Sequence, residues 1–151
     1  MFLYRVHFSM VFRFYIIVVL SVLFSACQTS ASNDNSLYIA LGETPGIERI
    51  VDQAIIEIQY DQRISHHFES TNWNRFREKQ IEHICQLSGG GCEYTGDTMI
   101  DVHAGMNISE AEFNAVADNI MTAMEKLGIP ISARNRLVSI VAKLREEVIY
   151  R

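Results

Sequence analysis

Four stretches of this chain repeat apolar side chains at intervals of three and four residues, the spacing that places them on one face of an α-helix. Proline, which interrupts helices, occurs only at Pro45 and Pro130. No stretch alternates apolar and polar residues convincingly enough to indicate strands. The sequence therefore predicts an all-α protein whose long helices bury their apolar faces against one another.

Residues typical of helix ends divide the first half of this pattern into two helices. Pro45 suits the first turn of a helix because its fixed φ is helical, and the apolar stripe after it predicts a first helix over about 45–60. A second helix is expected to begin near Asn72 and to end at the glycine run 89–91.

Two further helices are predicted in the second half of the chain. Ser109 and Glu112 form the capping-box pattern, in which the serine hydroxyl and the glutamate carboxylate accept hydrogen bonds from free backbone N–H groups. The third helix therefore begins at Ser109 and is expected to end at Gly128. The apolar face of the fourth helix consists of Leu137, Ile140, Val141, Leu144 and Val148.

The stretch between the second and third helices, 89–108, contains only a short helical segment around 99–104. Loops longer than about 12–15 residues are usually functional or disordered. A large apolar ligand packed beneath this stretch would supply the core that its own side chains lack.

The N-terminal residues have the pattern of an export signal. Arg5 and Arg13 precede an uncharged apolar run over 14–24, which is shorter than the roughly 20 residues that a membrane-spanning helix needs. The run ends in Leu23-Phe24-Ser25-Ala26-Cys27, which resembles the lipobox of bacterial lipoproteins. An uncleaved signal anchor is the alternative interpretation.

The lipobox resemblance implies a signal peptide over 1–26 and a lipid on Cys27. The chain is then expected to be anchored in a membrane and to face the periplasm or the cell exterior. Residues 28–36 carry no large apolar side chain, so 27–36 is expected to form the lipidated cysteine and a flexible tether, and 37–151 the folded domain.

Charge and the remaining cysteines limit the class of partner. The formal net charge is -5, and no part of the chain after Cys27 clusters lysine and arginine, so nucleic acid is not an expected partner. Cys85 and Cys92 could pair in an oxidising compartment or remain free thiols, and the sequence leaves both interpretations open.

Short sequence signals follow one another in order from residue 37 to residue 149. They include Leu37-Tyr38, Leu41-Gly42, Gly46-Ile47, Asp61-Gln62-Arg63-Ile64, Tyr94-Thr95-Gly96, Val102-His103-Ala104-Gly105 and Leu127-Gly128-Ile129-Pro130. In this order and spacing they resemble the group I truncated haemoglobins. The resemblance implies an all-α, two-over-two helical sandwich around one haem b per chain.

The same resemblance implies which residues meet the haem. His103 stands where the family has its proximal iron ligand, and a neutral imidazole nitrogen is a good donor to iron. A lone histidine is otherwise more often a structural or surface residue. The haem pocket is expected to include Ile55, Phe68, Phe76, Lys79, Gln80, Ile84 and Met99.

The distal side of this pocket departs from the family. Phe76, Gln80 and Ile84 are spaced by four and share a helical face on which only Gln80 is polar. Ala54-Ile55 stands where group I members usually carry Phe-Tyr, so the hydroxyl that donates to bound oxygen is missing. Gln80 is then the expected distal donor, and we expect oxygen to be held less tightly than in tyrosine-bearing relatives.

These observations favour reversible binding of oxygen or another diatomic gas (nitric oxide, carbon monoxide), for oxygen transport or nitric oxide detoxification. Nitric oxide dioxygenase activity would require an external reductase. Two alternatives remain open: a six-coordinate redox or sensor haem protein in which Lys79 or His67 also binds iron, and a helical lipoprotein that binds no haem and acts through partners. His66 and His83 are expected at the surface.

Overall fold

The computed structural model describes residues 34–151, so the predicted signal peptide, Cys27 and most of the predicted tether lie outside the described residues. Over that range the chain forms helices and contains no strand, and none of its helices is long and apolar enough to span a membrane. The α-helices are α1 (Ser36–Ala40), α2 (Glu43–Tyr60), α3 (Trp73–Leu87), α4 (Met99–His103), α5 (Glu110–Lys126), α6 (Ile131–Val141) and α7 (Arg145–Val148).

The predicted long helices are confirmed. Pro45 lies in the first turn of α2, α3 ends just before the glycine run, and α5 begins with the complete capping box of Ser109 and Glu112. The last helix differs, because α6 passes into a 3₁₀ turn, Ala142–Leu144, before α7. This change of helical hydrogen bonding allows Val148 to pack against Ile108 and Phe113 in a separate small core.

Two pairs of helices form the two layers of the fold. The helix α2 packs against α3 within one layer and against α5 in the other, and α5 packs against α6. This is the predicted two-over-two arrangement, in which each apolar stripe faces another helix. The main core consists of Leu37, Leu41, Ile47, Ile50, Val51, Ile84, Cys85, Met124, Ala133 and Leu137.

The corner between α1 and α2 requires glycine. Gly42 has a φ of 88°, a left-handed conformation that glycine adopts without steric cost. A Cβ at Gly46 would overlap the carbonyl oxygen of Leu41, so the close approach of the two helices depends on the missing side chain. At this end of the domain Arg136 donates hydrogen bonds to Ser36 and Asp34.

Cys85 and Cys92 are joined by a disulfide, which settles the pairing that the sequence left open. Their Cα atoms are 5.7 Å apart, within the range that a disulfide bridges. Cys85 is fully buried at the end of α3, and the bond ties the residues after the glycine run back to the core. The stretch leading to α4 is therefore held at its beginning.

Candidate functional site

A cavity of about 530 Å³ lies between the two layers and is bounded by α2, α3, α4, α5 and α6. Its wall is mostly apolar, as expected of a site for a large apolar ligand. The structure brings together in this wall every predicted pocket residue except one: Phe68, Phe76, Lys79, Gln80, Ile84, Met99 and His103.

The exception is Ile55, which does not line the cavity. It is half-buried and packs against the main core, whereas Ala54 lies in the cavity wall. Successive residues of an α-helix point about 100° apart, so only one of this pair can face the cavity directly. The small side chain of Ala54 therefore occupies the place in the wall that was predicted for Ile55.

His103 is held in one tautomer by its own helix. Its Nδ1 donates a hydrogen bond to the carbonyl oxygen of Met99 at 2.7 Å, and because a carbonyl can only accept, Nδ1 must carry the proton. A neutral ring then has a free lone pair on Nε2. The backbone of α4 is fixed by Thr98, whose hydroxyl accepts from the Asp101 N–H as the N-cap.

Three aromatic side chains pack together at the cavity wall: Phe68 and Phe76 line the cavity, and Trp73 packs against both. The rings of Phe68 and Phe76 meet edge to face with centroids 5.6 Å apart, and Trp73 stacks on Phe68 at the same separation. Such arrangements add favourable contact beyond burial alone. Sequence reasoning did not single out Trp73, although its spacing of three from Phe76 on α3 places both on one helical face.

Lys79 lies in the cavity wall but is engaged by neighbouring groups. Its Nζ donates to Glu82 at 2.9 Å, to Thr95 at 2.7 Å and to Glu78 at 3.0 Å. The hydrogen bond to Glu82, followed by the one to Glu78, raises the pKa of Lys79. Lys79 is therefore a cation, and a lysine must lose its proton before it can bind a metal.

Glu82 connects α3 to the loop before α4. Its carboxylate accepts from Lys79 and from both the backbone N–H and the hydroxyl of Thr95, at 3.0 and 2.9 Å for the Thr95 donors. These hydrogen bonds, with the one from Lys79 largest, lower the pKa of Glu82 to about 2. Sequence reasoning missed both Glu82 and the function of Thr95, since the contact joins residues 13 positions apart.

His83 was expected at the surface, and this expectation is wrong. It lies in the cavity wall, with its ring centroid 4.8 Å from that of Tyr94. Burial lowers the pKa of His83, since desolvation disfavours the charged ring. Its position on α3, one residue before Ile84, brings it to the edge of the same helical face.

Among residues 34–151 the remaining histidines, His66 and His67, lie on the 3₁₀ turn Ser65–Phe68, and the two side chains differ in exposure. The side chain of His66 is 54% exposed, as predicted, whereas that of His67 is 14% exposed and lines the cavity. Both approach Glu112, whose carboxyl pKa is lowered to about 2 by hydrogen bonds from the hydroxyl and backbone N–H of Ser109 and then by His67.

Gln80 is the polar side chain of the predicted distal face, and it lies in the cavity wall on α3. Within residues 34–151 its amide makes no hydrogen bond to another protein group. A half-buried amide of this kind can donate to a ligand in the cavity at no cost to another protein contact.

The residues present suit a haem. A porphyrin requires a flat apolar slot, one strong axial nitrogen and polar groups for its carboxylates. Aromatic and aliphatic side chains of the cavity wall supply the apolar slot, and Nε2 of His103 supplies the nitrogen. The cations Arg75 and Lys79 supply the polar groups for the carboxylates.

Known proteins are similar to this chain in sequence and in fold. The model of the family described as bacterial-like globin matches residues 36–150. The chain is 30% identical over 113 residues to a group 1 truncated hemoglobin of Mycolicibacterium paratuberculosis, covering 75% of this chain and 83% of the relative.

Solved structures confirm the architecture. Truncated hemoglobin from Tetrahymena pyriformis in the Fe(III) form has a TM-score of 0.74 at 23% identity, covering 76% of this chain and 98% of that one. The 2/2 hemoglobin from a Synechococcus species, solved with covalently attached heme, has a TM-score of 0.71 at 21% identity over the same shares. The observed fold is thus the two-over-two helical sandwich.

The Glu82 contact predicts a specific acid sensitivity. Because the pKa of Glu82 is about 2 in the folded chain and its ordinary value is 4.5, the stabilising effect of its carboxylate is complete above about pH 4.5 and is lost as the pH falls towards 2. Urea unfolding followed by circular dichroism at pH 6 and pH 3.5 should show a smaller acid-induced loss of stability in Glu82→Gln than in the unsubstituted chain. The matched control is Glu69→Gln, which removes an exposed carboxylate that contacts neither Lys79 nor Thr95, and it should lose as much stability in acid as the unsubstituted chain. Equal acid-induced losses in Glu82→Gln and the unsubstituted chain would contradict the assignment.

Proposed function

Because the chain belongs to the bacterial-like globin family, and within it to the group 1 truncated haemoglobins, we propose that it binds haem b through His103 and uses the iron to bind a diatomic gas reversibly. When bound, haem would supply an iron atom able to take up oxygen, nitric oxide or carbon monoxide. The observation that carries the assignment of His103 is its hydrogen bond to Met99, which leaves Nε2 as the free nitrogen in a cavity-lining ring.

The proposal gives the other cavity residues separate tasks. Phe68, Phe76 and Ile84 exclude water from the apolar slot, and exclusion of water strengthens every polar contact made inside it. Met99 has two tasks, because its side chain lines the cavity while its carbonyl orients the imidazole of His103. A hydrogen bond of this kind fixes the ring and raises the basicity of the nitrogen that binds the metal.

Gas binding is favoured over a six-coordinate redox or sensor role by the state of Lys79. Before it could bind iron, its ammonium group would have to give up its hydrogen bonds to Glu82 and Thr95. It would also have to lose a proton, which the raised pKa of Lys79 opposes. Gln80 has no such competing contact within the described range, so it is the group that we assign to donate to the gas. Oxygen binding is the specific activity proposed, and nitric oxide dioxygenation is not required by any of these contacts.

Replacement of His103 tests the proximal ligand. In His103→Gly we expect loss of the five-coordinate ferrous spectrum of the haem-loaded chain, with recovery on addition of free imidazole, because the small molecule replaces the missing nitrogen. The spectrum of His83→Ala, which removes another cavity histidine, should keep the unsubstituted coordination. An unchanged ferrous spectrum in His103→Gly would exclude His103 as the ligand.

Replacement of Gln80 tests the distal donor. Gln80→Leu should raise the rate of oxygen dissociation about 5- to 150-fold, which corresponds to the loss of one hydrogen bond of about 1–3 kcal/mol to a polar ligand. Carbon monoxide, which is less polar when bound, should be affected less. Gln86→Leu, an exposed position on the same helix, is the control for helix stability. Equal oxygen dissociation rates in Gln80→Leu and Gln86→Leu would contradict the assignment.

We further propose that the chain is exported and anchored in a membrane by a lipid on Cys27, so that its haem domain faces the periplasm or the cell exterior. The lipobox-like sequence before Cys27 supports this proposal, and so does the disulfide of Cys85 and Cys92, since disulfides persist chiefly in oxidising compartments.

Fractionation of the expressing bacterium tests this localisation. The full-length chain should sediment with membranes and release into detergent, whereas Cys27→Ser should lose the lipid-dependent increase in mass. Mass spectrometry of the N-terminal peptide provides the measurement, and Cys85→Ser is the control cysteine. A Cys27→Ser chain whose N-terminal peptide has the same modification mass as the unsubstituted one would overturn the lipid assignment.

A further inference from the structure

Two adjacent histidines converge on one carboxylate oxygen beside the cavity. Nε2 of His67 lies 2.9 Å from Oε1 of Glu112, and Nε2 of His66 lies 3.3 Å from the same oxygen. Neighbouring residues of a 3₁₀ helix normally point about 120° apart. Here the two ring centroids are only 4.1 Å apart, and the three ligand atoms all lie within 4.8 Å of one another.

We propose that this His66–His67–Glu112 cluster binds a divalent first-row transition-metal ion of the Zn²⁺ type, at a site separate from His103. Two imidazoles and one carboxylate form a mixed nitrogen and oxygen set, which suits Zn²⁺, Cu²⁺ or Ni²⁺ rather than the all-oxygen sites of Mg²⁺ and Ca²⁺. The ion would replace the hydrogen bond between His67 and Glu112 and the 3.3 Å contact between His66 and Glu112, with the ring protons moving to Nδ1.

The separation of each histidine nitrogen from the Glu112 oxygen matches such an ion. With metal–ligand bonds of about 2.0–2.1 Å, two ligands at octahedral or tetrahedral angles lie about 2.9–3.4 Å apart. Both observed nitrogen–oxygen separations, 2.9 and 3.3 Å, fall in this range. The side chain of His66 is 54% exposed, so its ring can rotate towards its neighbour and complete the site without moving the backbone.

Glu112 is oriented for this task by residues that do not touch the ion. Its other oxygen, Oε2, accepts hydrogen bonds from the backbone N–H of Ser109 at 2.8 Å and from the Ser109 hydroxyl at 2.6 Å. The capping box at the start of α5 thereby directs Oε1 at the histidines. Hydrogen-bond partners that hold a ligand in this way are a general feature of protein metal sites.

The cluster lies between the cavity and the solvent. His67 and Glu112 both line the cavity, whereas His66 is on the solvent side. Three protein ligands leave at least one coordination position for water or another small ligand. The ion would therefore enter from solvent through His66 and stand in the wall of the same cavity that holds the haem.

Zinc titration of the haem-loaded full-length chain tests the site. Equilibrium dialysis with metal analysis should find one Zn²⁺ per chain that a tenfold excess of Mg²⁺ does not displace. His66→Ala and Glu112→Gln should each weaken binding about tenfold or more, and the glutamine keeps an acceptor for the capping box. Matched controls are His83→Ala and Glu110→Gln, which remove the same side-chain types outside the cluster.

The competing explanation is that His67 only hydrogen-bonds to Glu112 and His66 only lies near it, and it predicts no stoichiometric zinc. X-ray absorption at the zinc edge should show a first shell of nitrogen and oxygen with two imidazoles. Absence of stoichiometric binding, equal affinity in the cluster variants and the controls, or a sulfur shell would each overturn the proposal. Because His66 is on the solvent side and does not line the cavity, the haem spectrum of His66→Ala should stay unchanged, which separates this test from that of the haem ligand.

Discussion

The hydrogen bond between Nδ1 of His103 and the carbonyl of Met99 is the interaction on which the chemistry of this cavity depends. It determines which ring nitrogen is protonated, and its geometry exists only while α4 stays helical. That helix has five residues, too few to be stable alone. Its order therefore comes from its surroundings: the Thr98 cap, the packing against α7, and the backbone pairing of Asn107 and Ile108 with the last two residues of the chain.

The stretch between α3 and α4 is fixed by contacts of three different kinds. A covalent bond joins Cys85 to Cys92, an ionic and hydrogen-bonded group joins Lys79 and Glu82 to Thr95, and Tyr94 donates to the carbonyl of Asp97. The loop buries few apolar groups of its own, so these polar and covalent contacts, rather than a hydrophobic core, hold it in one conformation. They also keep the cationic end of Lys79 at the cavity edge.

Features set by local sequence were predictable. The long helices, the capping box of Ser109 and Glu112, and the positions of Phe76, Gln80 and Ile84 on one face follow from periodicity and capping chemistry. Features set by distant contacts were not.

The assignment of Ile55 to the cavity wall failed because a helical stripe does not specify which residue at its margin faces a cavity. The prediction that His83 lies at the surface failed because the ring it packs against, that of Tyr94, comes from the loop after α3. The convergence of His66 and His67 was equally hidden, since Glu112 is 45 residues from His67.

The Cys85–Cys92 bond has a further effect on the integrity of the chain. It closes a small covalent ring around the glycine run, which lies beyond the end of α3. A protease that cuts any peptide bond between the two cysteines opens the ring but releases no fragment. A single nick at this turn therefore leaves α3 and α4 on one covalently connected molecule.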